Sequence, residues 1–154
     1  MLNHIGEQLS ETPEQADVVH DLLAFLAEQM VMSNMRKRTE IGGFLAWLER
    51  KVGAHVATLS NKDKLREYDQ YDLDTLLQVL SQNRRQLGVD PSGRNVQESI
   101  VREYAKSMET LNPLNGKIAA TDHLINLIVY RLYGLTESEV AIVRRGDAVG
   151  QGTR

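Results

Sequence analysis

Residues Ile125–Val140, Ile-Asn-Leu-Ile-Val-Tyr-Arg-Leu-Tyr-Gly-Leu-Thr-Glu-Ser-Glu-Val, spell a helix, a stop signal and a second helix in consecutive positions. Upstream of the stop, Leu114, Ile118, Thr121, Ile125, Ile128 and Leu132 alternate spacings of four and three. A heptad seam of this kind belongs to a helix packed closely along a nearly parallel or antiparallel neighbour. Gly134 can take the positive φ that ends a helix, and Leu135 can then fold back onto the last turn. Thr136-Glu-Ser-Glu139 reads as a capping box, with Val140 and Val143 on one side of the helix that it opens.

The rest of the chain repeats the helical period. Val19, Leu22, Leu23, Leu26 and Met30 recur at spacings of three and four, and the pattern returns as Ile41, Phe44, Leu45, Leu48 and Val52. Gly42-Gly43 lies between the two halves, so the segment is either one long helix with a weak point or two helices that meet there. Gly53 is a candidate C-terminal cap. Ser60-Asn-Lys-Asp63 resembles a capping box for a short helix over residues 61–68. Asp72 precedes Leu73, Leu76, Leu77 and Leu80, an amphipathic helix expected to end at Gly88. Asp90-Pro91 is a start signal for a helix carrying Val96, Ile100, Tyr104, Met108 and Leu111, and Asn112-Pro113-Leu-Asn-Gly116 is expected to break it. Segments of roughly 92–111 and 114–133 joined by so short a turn should be antiparallel neighbours. The expectation is therefore an all-α fold of about five helices, with a C-terminal antiparallel helical hairpin followed by a short capping helix. Residues 1–16 read as a mobile N-terminal arm, although Pro13 after Thr12 could start a helix earlier. Residues 17–146 read as a single helical domain and 147–154 as a disordered, glycine-rich tail.

Composition bounds the function classes. A net charge of −3 is that of no strongly cationic nucleic-acid binder, although it leaves room for a local basic patch. The absence of cysteine removes disulfides, thiolate metal sites and cysteine nucleophiles together and fits a cytoplasmic protein. No run of 18 apolar residues predicts a membrane span, and the N-terminus lacks the basic-then-apolar order of a signal peptide.

Several segments are similar to one family in the same order. They are Leu22–Met30, Gly43–Glu49, Thr58–Tyr68, the run Asn83-Arg-Arg-Gln-Leu-Gly, and Thr121–Thr136 with its Val-Tyr-Arg-Leu-Tyr-Gly-Leu-Thr ending. Together they resemble, over residues 18–145, the C-terminal helical region of type II restriction–modification proteins, in which N6-adenine methylation and target recognition share one polypeptide. The resemblance implies S-adenosylmethionine as the cofactor of the full-length family. It also implies a methyltransferase or target-recognition domain or subunit as partner, with double-stranded DNA and a second copy as further candidates. It carries over no catalytic or cofactor-binding residue. The family's Asn-Pro-Pro-Tyr motif is missing, the one Asn-Pro at 112–113 continues Leu-Asn, and no glycine-rich turn follows a strand pattern.

Read for chemistry, the residues offer little else. Glu49-Arg-Lys51 fits half of a metal-dependent nuclease signature but sits at a helix end with no Pro-Asp before it, so a solvated helix end is the expectation. His4, His20, His55 and His123 lie on separate elements, and none makes the i, i+4 pair of a zinc site. Trp47, Phe44 and Phe25 fall within an apolar helical pattern and are expected to pack. Arg36, Lys37, Arg38, Arg84, Arg85 and Arg94 are the candidate contacts to a DNA backbone, where cations supply affinity without sequence preference. Ile118, Ile125, Ile128 and Leu132 are the candidate helix-packing residues, and the other face of that helix, with Leu124, Leu127 and Tyr130, is expected to stay free for other helices. The sequence thus points to a non-catalytic helical module of a DNA restriction–modification system. The alternative is a stand-alone helical interaction protein with no DNA role.

Overall fold

A computed structural model describes the backbone of residues 13–150 and the side chains of residues 16–146. The described chain is all-α, with five α-helices and no strand. They are α1 (Pro13–Val52), α2 (Lys62–Arg66), α3 (Leu73–Gln82), α4 (Arg94–Leu132) and α5 (Glu137–Gly150), with single 3₁₀ turns at Val56–Thr58, Tyr68–Gln70 and Arg84–Gln86. Helix α1 therefore takes in residues 13–16 of the expected arm, and α5 takes in residues 147–150 of the expected tail; the remainder of each lies outside the described residues. The described chain divides into two compact units, one from residues 13–31 with 119–150 and one from residues 32–118.

The larger unit is built around a single apolar core. Phe44, Leu48 and Val52 of α1 meet Leu76, Val79 and Leu80 of α3 and Ile100 and Leu111 of α4, with Val56, Leu59, Leu65 and Tyr68 from the connecting segments. Helix α1 runs unbroken through Gly42-Gly43. Both glycines are exposed, while Ile41, Phe44, Leu45 and Leu48 beside them pack on the core. That packing outweighs the roughly 1 kcal/mol each glycine costs relative to alanine. Gly53 then ends α1 with φ +68°. A Cβ there would stand 3.2 Å from the Cα of Gly88, and the Gly88 N–H donates to the Val52 carbonyl at 2.8 Å. Two glycines thus let the end of α1 and the segment after α3 touch backbone to backbone.

Three boundaries differ from expectation, each for a local reason. Ser60–Asp63 forms no capping box; Asn61, in the left-handed region at φ 58°, precedes α2 without a side-chain cap. Helix α3 is capped by Asp72, whose carboxylate accepts from the Thr75 N–H at 2.8 Å, but it stops at Gln82 and does not reach Gly88. Asn83 competes for the ladder there, donating from Nδ2 to the Val79 carbonyl. Asp90 accepts from the Ser92 N–H at 3.0 Å, and the Gly93 N–H bonds the Asp90 carbonyl, so Asp90–Gly93 is a turn and the helix begins at Arg94.

The largest correction concerns the hairpin. Residues 94–132 form one continuous helix with Pro113 inside it, so no helical hairpin divides 92–111 from 114–133. A proline removes one helical hydrogen bond and crowds the carbonyl four residues earlier. Here Pro113 and Glu109 are both on the exposed side, where water can meet that carbonyl, while Leu111 and Ser107 hold the inner side buried. Ile125 and Ile128 consequently cannot face Ile100, Tyr104 and Met108, which lie on the same helix and pack in the larger unit.

In the smaller unit, Leu26, Thr121 and Ile128 are the buried side chains among the described residues. Ile125 is half-buried, whereas Leu132, the last position of the seam, is 40% exposed. The stop after α4 is built as its sequence predicts. Gly134 has φ +65°, the Leu135 N–H donates to the Tyr130 carbonyl at 3.0 Å and the Gly134 N–H to that of Arg131 at 3.0 Å. The capping box of α5 also forms: the Thr136 N–H donates to Glu139 Oε2 at 2.7 Å and the Glu139 N–H to Thr136 Oγ1 at 3.4 Å. The Thr136 N–H, and with it the Thr136 hydroxyl, hold the Glu139 carboxyl below its ordinary value. Ile128→Ala should lower stability by about 2–5 kcal/mol and Thr136→Ala by less, since the first opens a cavity and the second removes only a surface cap. Thermal unfolding of the two variants checks the order; equal melting points would place Ile128 outside the core.

Candidate functional site

The most developed polar constellation of the larger unit is centred on the 3₁₀ turn Tyr68–Gln70. The turn lies in a segment with no helical period, and it is fixed by its side chains. Asp69, whose side chain is 2% exposed, receives three donors on Oδ2: Lys37 Nζ of α1 at 2.7 Å, Gln70 Nε2 at 2.7 Å and Asn115 Nδ2 of α4 at 3.0 Å. Burial pushes the Asp69 carboxyl up, but the hydrogen bonds from Lys37, Asn115 and Gln70 more than offset it and hold the group below its ordinary value. Next to it, the buried Tyr68 ring stands 4.4 Å from Phe44 and 5.9 Å from Tyr104, and its hydroxyl shares a 2.6 Å hydrogen bond with Ser107. Burial raises the Tyr68 phenol to about 12, with the Ser107 bond acting the other way. Burial, with the charges of Asp72 and Asp69, raises Tyr104 as well, and its hydroxyl donates to the Tyr71 carbonyl at 3.2 Å.

Chemically this is a clamp. Among the described residues no buried side-chain nitrogen or oxygen lacks a hydrogen-bond partner. Asp69 and Tyr68 spend their polar atoms on tying the turn to α1 and α4. A shallow cavity of about 270 Å³ lined by Glu40, Phe44, Trp47, Glu103, Lys106 and Ser107 opens beside it.

A second polar anchor sets the candidate cationic residues of the turn after α3. Asn83 is 2% exposed; its Oδ1 accepts from the Ser60 N–H at 2.8 Å and its Nδ2 donates to the Ser60 carbonyl at 3.0 Å. This two-way bond fixes the start of the turn that carries Arg84 and Arg85, both exposed. Arg84 lies 3.8 Å from Asp90, and Arg94 donates to Glu98 at 2.8 Å across one helical turn. Such exposed pairs are worth little. Arg36 and Arg38 are exposed on α1, but Lys37 between them is committed to Asp69. The Arg-Lys-Arg run thus presents two cations outward and one inward.

Glu49, of the Glu-Arg-Lys triplet, accepts from the Val56 N–H at 2.8 Å and lies 3.5 Å from His55, so it closes the end of α1. His123 Nδ1 lies 3.5 Å from Arg144, His20 is exposed on α1, and His4 is outside the described residues. Among the described residues no three His, Asp or Glu side chains gather where a metal ion could sit. No helix there is long and apolar enough to cross a membrane. Leu124 is 42% exposed on α4, and Leu127 and Tyr130 line a cavity of about 460 Å³ with Leu135, Val140 and Ala141 of the following segment. No helical period marks Asp69, Tyr68, Asn83 and Asn115 for these roles; each acts through partners 23 to 46 residues away. No family model, curated protein or solved structure matches the chain.

Proposed function

We propose that this chain is a non-catalytic helical module of a DNA restriction–modification system that braces a target-recognition domain or a methyltransferase core and touches the DNA backbone. The observation that carries the reading is the form taken by the most specific stretch of resemblance. Residues 125–140 fold into a helix end closed by Gly134 and a new helix opened by Thr136 and Glu139, a corner fixed by backbone and side-chain hydrogen bonds. A corner so determined by local chemistry suits a bracing role. The charge distribution supports the DNA contact: residues 36–154 carry a net +3 although the whole chain carries −3.

The test is binding of the purified chain to duplex DNA together with transfer of labelled methyl groups. Salt-sensitive binding without methyl transfer is expected. Arg84→Ala with Arg85→Ala should weaken binding to many sequences alike and flatten its salt dependence, by about one unit of slope for each phosphate no longer neutralised. Methyl transfer by the chain alone would overturn the non-catalytic assignment. Binding that is absent at low salt would favour a stand-alone interaction protein with no DNA role.

A further inference from the structure

The charges of this chain are segregated along it. All 18 Lys and Arg residues lie at position 36 or beyond, and six carboxylates precede it, so residues 1–35 carry −6 against the +3 of the remainder. Within that acidic segment the first half of α1 has two different apolar faces. Leu26 is buried, and Val19 and Leu23 are half-buried. Val18, Leu22 and Phe25 are 66%, 43% and 55% exposed. Their spacing, i, i+4 and i+7, places them on one stripe of the helix.

The stripe has the register of one side of a coiled coil. With Val18 and Phe25 at d and Leu22 at a, the exposed Asp21 and Glu28 fall at g, along one edge. The other edge, at e, is Val19 and Leu26, turned toward the interior. We infer that this stripe docks an amphipathic helix of a partner protein whose apolar heptad face is flanked by Lys and Arg. The apolar positions select a helix at heptad spacing, and the g-position carboxylates select its charge, since cross-helix g and e pairs decide partner choice.

A second copy fits the same stripe poorly. Antiparallel self-pairing would set Asp21 and Glu28 against the same two carboxylates. Parallel self-pairing would set them over Val19 and Leu26, which offer no cation. Residues 1–12 carry Glu7 and Glu11 and no Lys or Arg, the same sign as the stripe. The inference is independent of the restriction–modification reading.

Two synthetic three-heptad peptides test it, both with Leu at a and d, one with Lys and one with Glu at e and g. Each is titrated into the full chain by fluorescence anisotropy, and the free chain is run by sedimentation velocity. The Lys peptide should bind and weaken as salt rises; the Glu peptide should not bind. Phe25→Ser should abolish binding. Asp21→Lys with Glu28→Lys should weaken the Lys peptide about tenfold and admit the Glu peptide. These positions are exposed, and circular dichroism of each variant verifies that the fold is kept. Failure of the Lys peptide to bind, equal binding of both peptides, or indifference to the charge reversal would overturn the inference. So would a dimer of the free chain that Phe25→Ser disperses, because the stripe would then belong to a second copy.

Discussion

Replacing Lys37 with methionine is expected to lower the unfolding free energy by about 3–5 kcal/mol, because it leaves the Asp69 carboxylate buried without its cation. Asp69 keeps the amides of Gln70 and Asn115, but the charge that most directly opposes burial is gone, and its pKa rises. The pH dependence identifies the cause. In the wild type the folded pKa of Asp69 lies below the unfolded value of about 3.9, so its contribution is fully present above that value and is lost as pH falls through the folded pKa. The unfolded state is common to both proteins, so the gap in stability between wild type and Lys37→Met should be widest near neutrality and close as pH falls from the raised folded pKa of Asp69 in the variant to its lowered folded pKa in the wild type. Urea unfolding at pH 7 and at steps down to pH 2 measures it. A gap that stays constant on acidification would mean that the loss comes from packing of the lysine stem and not from the ion pair.

Leu48→Ala should cost about 2–5 kcal/mol, the range for a fully buried leucine whose site cannot collapse around the cavity. Leu48 has no exposed surface and lies in α1 between Phe44 and Val52, which flank it in the core of the larger unit. Phe25→Ser, on the same helix but 55% exposed, should change stability by no more than about 0.5 kcal/mol. The two substitutions are of similar chemical severity, so the contrast isolates burial. Urea unfolding of both variants decides it, and a Phe25→Ser variant as unstable as Leu48→Ala would show that the exposed stripe is part of a folded interior.

Local chemistry settled those features whose interactions begin and end within a few residues. The all-α class, the Asp72 cap of α3, the Gly53 and Gly134 stops and the Thr136–Glu139 box are of this kind. A cap or a glycine stop depends on hydrogen bonds spanning only a few positions, so its signal survives in a linear reading. The helical periods likewise located Phe44, Leu48, Val52, Leu76, Leu80, Ile100 and Leu111 as inward-facing.

What only the tertiary structure decided depended on distant partners. In the sequence Pro113 reads as a break because a proline in isolation opposes a helix; the buried residues around it, on the opposite side, keep α4 continuous. The seam from Leu114 to Leu132 is a packing face at Thr121 and Ile128, as its spacing predicts, but the neighbour expected for it follows from a turn at Pro113 that does not form. Lys37 belongs by composition to a basic run, and only Asp69, 32 residues away, turns it inward. The segment from 54 to 72, which has no period, holds the Tyr68–Asp69 clamp, because a 3₁₀ turn fixed by side-chain bonds to α1 and α4 leaves no repeating trace in its own sequence. Helices and their ends were thus written in the sequence, since they are satisfied locally. Which cations point outward and which faces stay uncovered were set by tertiary contacts, since burial and ion pairing depend on what the rest of the chain brings near.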